Sequence, residues 1–193
     1  MKLLFFDLET TGTDYRKHAI HQISGEIVID GEIKERFNYH VKPFEGAVIE
    51  DKALEVGKVT KEQIMAYPIG YAVYQEFIAM LSKYVNRYDK KDKFFLVGYN
   101  NAPFDNQFLR EFFLKCGDYY FGSWFWSNSI DVMVLVTPYL ADKRHEMVDF
   151  KLATVAKTLG INVKEEDLHD AYYDVWLTHK VYDVVSESIV KNL

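Results

Sequence analysis

The sequence contains one cysteine, four prolines and no long hydrophobic run. The single cysteine, Cys116, can neither close a disulfide within the chain nor supply the several thiolates of a structural zinc site. Hydrophobic residues make up 49% of the chain but fall in short segments, whereas a membrane-spanning helix needs about 20 consecutive apolar residues. Asp7 interrupts the first apolar segment too early for a signal peptide. We therefore expect a cytoplasmic protein with no membrane partner.

Basic residues are also in the minority, because 23 Lys and Arg face 29 Asp and Glu, for a net charge of −6. Binding to nucleic-acid backbones depends on Lys and Arg, so this balance argues against a broad nucleic-acid-binding surface. Two small basic groups are the candidate phosphate contacts: Lys17-His18 with His21, and Lys143-Arg144-His145. The aromatic segment 119–126 is predicted to pack in the interior rather than to stack on bases.

The length and the hydrophobic patterns predict one domain over residues 1–193. Apolar runs at 3–8 and 94–97 predict strands that are buried on both faces. Residues 22–41 predict a hairpin, since alternating apolar residues flank the turn dipeptide Asp30-Gly31. Together with the helices below, these strands predict an α/β fold with a central mixed β-sheet flanked by helices.

Helical spacing of apolar residues predicts helices near 71–85 and 104–113, and segment 130–140 fits either a helix or a strand. Thr60 and Gln63 have the spacing of a capping box, Pro103 suits a first helical turn, and Asp149 can cap a helix that ends at Gly160. The last helix, from about Asp170, is predicted to bury Ala171, Val175, Thr178, Val181, Tyr182, Val185 and Ile189.

Four acidic residues lie where their neighbours hold them near the interior. Asp7 and Glu9 are two residues apart on a strand, so their side chains share one face. Asp105 falls in the first turn of a helix, and Asp174 borders the apolar face of the last helix. Buried carboxylates are costly unless they are paired or bind metal, and oxygen ligands without cysteine suit Mg²⁺ or Mn²⁺. For any one acid, a helix cap or a solvated strand end is the simpler alternative.

Three sequence motifs occur in order along the chain. Asp7-Leu8-Glu9-Thr10-Thr11-Gly12 resembles the first motif of the DnaQ-like 3′→5′ exonucleases of the DEDD superfamily. The segment from Asn100 to Asp105 resembles the second motif. Many relatives have His-Asn where this chain has Tyr99-Asn100-Asn101, which leaves open whether Asn100 or Asn101 corresponds to the family asparagine. His169-Asp170-Ala171-Tyr172-Tyr173-Asp174 resembles the third motif in its histidine-bearing, DEDDh form. Gly57 stands near a position where relatives often have histidine.

The resemblance implies a ribonuclease H-like fold, a single exonuclease domain and a two-metal site. It assigns two Mg²⁺ or Mn²⁺ ions to four carboxylates, and the general base to His169. His169 lies five residues before Asp174, about 500° of helical rotation, so we expect it in the loop that enters the last helix. The implied ligands are Asp7, Glu9, Asp105 and Asp174, and the implied substrate contacts are the Thr10 and Thr11 backbone with Asn100, Asn101 and Phe104.

The predicted function is a metal-dependent 3′→5′ exonuclease that releases nucleoside 5′-monophosphates from single-stranded or frayed 3′ ends. DNA is slightly preferred over RNA because motif one looks more like the proofreading form. The alternatives are an RNA-trimming enzyme similar to RNase T, a nucleotide phosphohydrolase, and a catalytically silent module that binds nucleic acid or protein. About twenty residues follow Asp174, which favours a freestanding enzyme, while a homodimer and association with a polymerase are left open. Two divalent ions would add +4 to the charge of −6.

Overall fold

A five-stranded sheet forms the centre of the protein in the order β3-β2-β1-β4-β5. The computed structural model describes residues 1–191, with side chains described through residue 187. The strands are β1 (Lys2–Thr10), β2 (Ile20–Ile29), β3 (Glu32–His40), β4 (Phe95–Gly98) and β5 (Ile130–Asp131).

The sheet is mixed, as predicted. β1 pairs antiparallel with β2 and parallel with β4, and β4 pairs parallel with β5. β2 and β3 form the predicted hairpin, and its turn residues Asp30 and Gly31 have φ angles of 51° and 84°. Both angles are positive, as a type I′ turn requires. Because β1 is central and pairs on both sides, its carboxyl end is the point where the two halves of the sheet meet.

Helices cover both faces of the sheet. They are α1 (Asp51–Val56), α2 (Lys61–Met65), α3 (Gly70–Ser82), α4 (Asp105–Lys115), α5 (Val132–Tyr139), α6 (Leu152–Thr158) and α7 (Ala171–Lys191). Leu4, Phe6 and Leu8 of β1 pack with α3 and α4 on one face. Leu3 and Phe5 pack with α5, α6 and α7 on the other. Within the part of the chain that the structure describes, no helix combines the length and apolar character of a membrane span.

The helix ends agree with the predictions at some positions and differ at others. The Thr60–Gln63 capping box is present. Segment 130–140 contains both predicted elements, because the short β5 leads directly into α5. Pro103 does not lie in a first helical turn, since α4 begins at Asp105 after Phe104 adopts a non-helical φ of −121°. The N-cap of α6 is Lys151 rather than Asp149. The Asp149 carboxylate instead accepts a hydrogen bond from the Lys151 N–H at 3.1 Å.

The aromatic segment 119–126 is only partly buried. Phe121, Trp124 and Phe125 lie in the core, as predicted, but Tyr119 and Tyr120 are 77% and 67% exposed. The tyrosines lie in the turn after α4, beyond the reach of the sheet. In α7, the predicted inward residues are buried or half-buried through Val185, whereas the prediction for Ile189 lies outside the described side chains.

Candidate active site

Three carboxylates converge at the carboxyl end of β1. Asp7 and Glu9 alternate with the buried Phe6 and Leu8, so both project toward α7, which supplies Asp174 from its first turn. One oxygen from each of the three lies within 4.8 Å of the others. The strand period and the position of Asp174 on α7 therefore produce the cluster that the sequence predicted.

Asp105 approaches the same cluster from the first turn of α4. Its side chain is buried and accepts hydrogen bonds from its own backbone N–H and from that of Leu8. Leu8 lies between Asp7 and Glu9, and the charge of Asp105 raises the pKa of Asp7. Asp105 is thus held beside the three-carboxylate cluster, although it is outside the group whose oxygens lie within 4.8 Å.

Burial raises the pKa of every acid in this group, and neighbouring carboxylates raise it further. Desolvation is the largest cause throughout; it raises the pKa of Glu9 to about 8, of Asp105 to about 8 and of Asp174 to about 6. The pKa of Asp7 lies well above its usual value for the same reason, with further contributions from neighbouring carboxylates. Such a cluster is stable as a set of anions only beside compensating positive charge.

The donor set fits divalent cations. It consists of carboxylate oxygens, which Mg²⁺ and Mn²⁺ prefer, and Oδ1 of Asp174 is buried with no hydrogen-bond partner. An unpaired buried carboxylate oxygen is costly, and a bound cation would satisfy it. Asp7, Glu9 and Asp174, with Asp105 beside them, are the residues that would hold the metal.

His169 lies in the turn before α7, as predicted from its spacing. Its side chain is exposed, and its backbone N–H donates to the carboxylate of Asp174. The backbone of His169 has a φ of 65°, a left-handed conformation that non-glycine residues adopt uncommonly. The structure therefore ties the backbone of His169 to Asp174 in a turn of unusual conformation and leaves the imidazole exposed; its role as a base stays a prediction.

The family assignment rests on a match over most of the chain. The model of the RNase T family, described as "Exonuclease", matches residues 4–182. The chain belongs to this exonuclease family.

Solved structures of exonuclease I share the fold of this exonuclease. The E. coli enzyme in complex with a dT13 oligonucleotide gives a TM-score of 0.73 at 20% identity, covering 95% of this chain and 40% of that chain. The zinc-bound E. coli complex with single-stranded DNA gives a TM-score of 0.74 at 19% identity, covering 97% of this chain and 40% of that chain. An apo structure of exonuclease I gives a TM-score of 0.75 at 19% identity, covering 96% of this chain and 42% of that chain. The exonuclease thus has a ribonuclease H-like fold and spans about two fifths of the length of these chains. A search of curated proteins finds no match.

The motif-one threonines of the exonuclease shape the loop that follows β1. The Thr11 hydroxyl donates to the Val48 carbonyl at 2.7 Å and accepts the Ala19 N–H at 2.9 Å. The Thr11 N–H donates to the Ala19 carbonyl at 2.8 Å, and the Thr10 hydroxyl donates to the Gly12 carbonyl at 2.8 Å. The Thr11 amide is therefore used within the protein, and contact of this segment with a 3′-hydroxyl stays a prediction.

The motif-two asparagines have different surroundings. Asn100 is exposed and its backbone N–H donates to Asp131 Oδ1 at 2.9 Å. Asn101 is fully buried, its amide donates to Asn106 Oδ1 at 3.2 Å, and its own Oδ1 has no partner. Phe104 packs on Phe108 with ring centroids 4.9 Å apart. The exposed Asn100 is thus the asparagine whose side chain is accessible to a ligand.

The first basic group does not form the predicted phosphate contact through its histidines. His18 and His21 are only 5% and 1% exposed. His18 packs against Gly12, with Nε2 3.0 Å from Glu50 Oε1. His21 is the extra residue of a bulge in β2; burial, with a smaller effect of His40, lowers its pKa to about 4. This part of the prediction is wrong, because the loop after β1 folds inward.

The second basic group is exposed near the segment before motif two, and its contact with phosphates stays a prediction. Lys143, Arg144 and His145 are exposed on a short 3₁₀ helix. The Arg144 guanidinium lies 5.2 Å from the Phe150 ring centroid, and the Phe150 carbonyl accepts the Tyr99 hydroxyl at 2.6 Å. This segment is therefore tied to the start of motif two, where it can face an incoming strand.

Sequence reasoning missed Lys58, which lies beside the candidate site. Its ammonium group lowers the pKa of Asp174 and donates to two backbone carbonyls in the turn before His169. The adjacent Gly57 is also close to the cluster, because a Cβ built there would lie 3.6 Å from Glu9 Oε2. The only sequence signal was that Gly57 stands near a position where relatives often have histidine.

Proposed function

We propose that this exonuclease removes nucleoside 5′-monophosphates one at a time from single-stranded or frayed 3′ ends, with DNA slightly preferred. The observation that carries the proposal is the convergence of Asp7, Glu9 and Asp174 within 4.8 Å, with Asp105 and His169 beside them. The two exonuclease I complexes described above hold a dT13 oligonucleotide and single-stranded DNA, which supports a substrate of that class. A single, half-buried cysteine is compatible with action in the cytoplasm.

The acidic cluster divides the work of holding two ions. Asp7, Glu9 and Asp174, together with Asp105 beside them, are the residues that would hold the ions. When bound, Mg²⁺ or Mn²⁺ would supply the positive charge that activates water and stabilises the departing oxygen.

His169 is the proposed general base. The water oxygen forms a bond to phosphorus, its proton passes to the His169 imidazole, and the bond from phosphorus to the 3′ oxygen of the remaining strand breaks. Imidazole side chains accept protons near neutral pH. The products are a nucleoside 5′-monophosphate and a strand with a new 3′-hydroxyl, which takes its proton from solvent.

The terminal nucleotide would lie between motif one and motif two. Phe104 offers a partly exposed ring for stacking on a base, the exposed Asn100 would line the pocket with the buried Asn101 behind it, and the backbone of the Thr10–Thr11 segment would approach the 3′-hydroxyl. Lys143 to His145 would contact the phosphates of the preceding nucleotides. An RNA-trimming activity is the second candidate, because the matching family model bears the name of RNase T.

A digestion ladder tests the proposal. DNA and RNA of matched sequence, labelled at the 5′ end, are incubated with the protein in Mg²⁺, Mn²⁺ or EDTA. Shortening by single nucleotides is expected with either metal, faster on DNA, and absent in EDTA and in Asp7→Asn. Glu55→Gln is the control, because Glu55 is an exposed acid on α1.

Other results would contradict specific parts of the proposal. Cleavage from labelled 5′ ends or in the middle of the strand would refute the direction or the exonucleolytic mode. Full activity in Asp174→Asn or His169→Ala would refute the mechanism. Tight binding without cleavage would indicate a silent module, and hydrolysis of free nucleotides alone would indicate a phosphohydrolase. Faster cleavage of RNA would favour the second candidate.

A further inference from the structure

Lys58 connects the two halves of the chain at the edge of the candidate active site. Its Nζ donates to the carbonyl oxygens of Glu166 at 2.7 Å and Leu168 at 3.1 Å. Leu168 directly precedes His169 in the sequence. Lys58 thus binds residues that lie 108 and 110 positions later in the chain. The second of them, Leu168, immediately precedes the proposed base.

The turn that carries His169 has few other attachments. The Lys164 N–H donates to the Tyr173 hydroxyl at 2.8 Å, and Glu165 pairs with Lys157 of α6. These partners belong to the last third of the chain. Among the described residues, Lys58 makes the only hydrogen bond or ion pair between segment 164–170 and the first half of the chain. Without it, the hydrogen bonds and ion pairs of this turn reach only α6 and α7, and its further attachment is the apolar packing of Leu168 against the core.

The base of Lys58 is itself fixed. Backbone bonds from the N–H groups of Gly57 and Val59 to the carbonyls of Ala53 and Leu54, both 3.1 Å long, close the end of α1. The φ of Lys58 is 54°, in the left-handed region that favours glycine. Positive φ angles thus occur at Lys58 and at His169, the residue after Leu168. Such sparsely populated backbone conformations cluster at functional sites.

We propose that Lys58 is a positioning residue, which holds the turn before His169 so that the imidazole faces the acidic cluster. It acts through the backbone of Glu166 and Leu168, because two of its three ammonium protons bind those carbonyls. This inference rests on the proposed function, in which His169 is the base. The positive charge of Lys58 also favours the ionised form of Asp174, in agreement with a location of Lys58 beside the cluster.

Steady-state kinetics of Lys58→Met, Lys58→Arg and Lys61→Met test the proposal. A small displacement of a catalytic group costs up to about a hundredfold in rate. We therefore expect Lys58→Met to lower kcat about tenfold to a hundredfold and to change KM less than about twofold. Arginine also donates to two acceptors, so Lys58→Arg should recover most of the loss. Lys61 is an exposed lysine of α2, and Lys61→Met should match the wild type.

Hydrogen exchange of the metal-free proteins gives a readout that does not require activity. Segment 164–170 should exchange faster in Lys58→Met than in the wild type or Lys61→Met, while the β-sheet exchanges at the same rate in all three. Unchanged exchange in this segment would overturn the proposal. Faster exchange throughout the protein would also contradict it, because it would indicate global destabilisation.

A double-mutant comparison separates positioning from direct substrate contact. If Lys58 acts through His169, then Lys58→Met should cause no further loss of kcat in a His169→Ala background. A further tenfold loss there, or a rise in KM without a change in kcat, would overturn the proposal. Full activity of His169→Ala alone would instead refute the proposed base. A defective His169→Ala beside a fully active Lys58→Met would refute only the positioning role.

Discussion

Replacing Glu9 with glutamine should make the metal-free protein more stable, although it removes a proposed metal ligand. The Glu9 side chain is confined with Asp7 and Asp174 in a cluster that contains several acids and little positive charge. Glutamine has nearly the same shape but no charge to desolvate. The substitution therefore isolates what the carboxylate costs the folded state when no cation is present.

The pKa of Glu9 gives the size of this cost. Burial, followed by the charges of Asp174 and Asp105, raises it from 4.5 to about 8. Because the folded-state pKa is raised, stability is fully present below the unfolded pKa and is lost as the pH rises through about 8. One pKa unit corresponds to about 1.4 kcal/mol. The cost is therefore about 3 kcal/mol at pH 7 and about 1 kcal/mol at pH 5.

Calorimetry of EDTA-treated protein at both pH values measures this effect. For a chain of this length, about 3 kcal/mol corresponds to a rise in Tm of about 6–12 °C. Glu9→Gln should therefore melt about 6–12 °C above the wild type at pH 7 and much closer to it at pH 5. Added Mg²⁺ should raise the wild-type Tm more than that of the variant. Glu55→Gln serves as the charge-matched control. An unchanged or lower Tm for Glu9→Gln at pH 7, or an equal gain at both pH values, would refute the reasoning.

Three further substitutions test the surroundings of the site. In Gly98→Ala, the new Cβ would lie 2.7 Å from Asn101 Cβ and 3.2 Å from the Phe6 carbonyl, so denaturant unfolding should show a loss of about 1–3 kcal/mol; unchanged stability would mean that this loop adjusts freely. Thr60→Ala removes a side chain that accepts the Gln63 N–H at 3.2 Å and should cost about 1 kcal/mol in the same assay. Phe104→Ala should raise KM for single-stranded substrate about tenfold with little change in kcat, because base stacking is worth about 1–3 kcal/mol; an unaltered KM would exclude Phe104 from the nucleotide pocket.

Much of the candidate site follows from local periodicity. The two-residue spacing of Asp7 and Glu9 on a buried strand fixes a shared face, and the apolar pattern of the last helix fixes the side on which Asp174 lies. The five-residue separation of His169 and Asp174 predicts that the histidine precedes the helix, and the structure confirms this. These features depend on strand and helix geometry, which a sequence expresses directly.

The features that escaped prediction depend on tertiary contacts. His21 is buried because both faces of β2 are covered from Ile20 to Val28, and the bulge at His21 has no signature in the residue pattern. Tyr119 and Tyr120 are exposed although they adjoin the buried Phe121, and the run of aromatic residues does not itself show where burial begins. Lys58 binds backbone carbonyls more than 100 residues away, and carbonyl acceptors carry no side-chain signature.

The outer strand of the hairpin, β3, has a consequence for how copies of the protein meet. An uncovered edge strand can recruit a second sheet and lead to aggregation, and alternating charges discourage this. Glu32 pairs with Lys34, Glu35 accepts from Lys83 at 2.8 Å, and Arg36 pairs with Glu26 at 3.0 Å. A second copy docking along this strand would have to desolvate these charges, so the charges on β3 disfavour edge-to-edge assembly. Any stable self-association should therefore use a different surface and leave the long edge of the sheet in water.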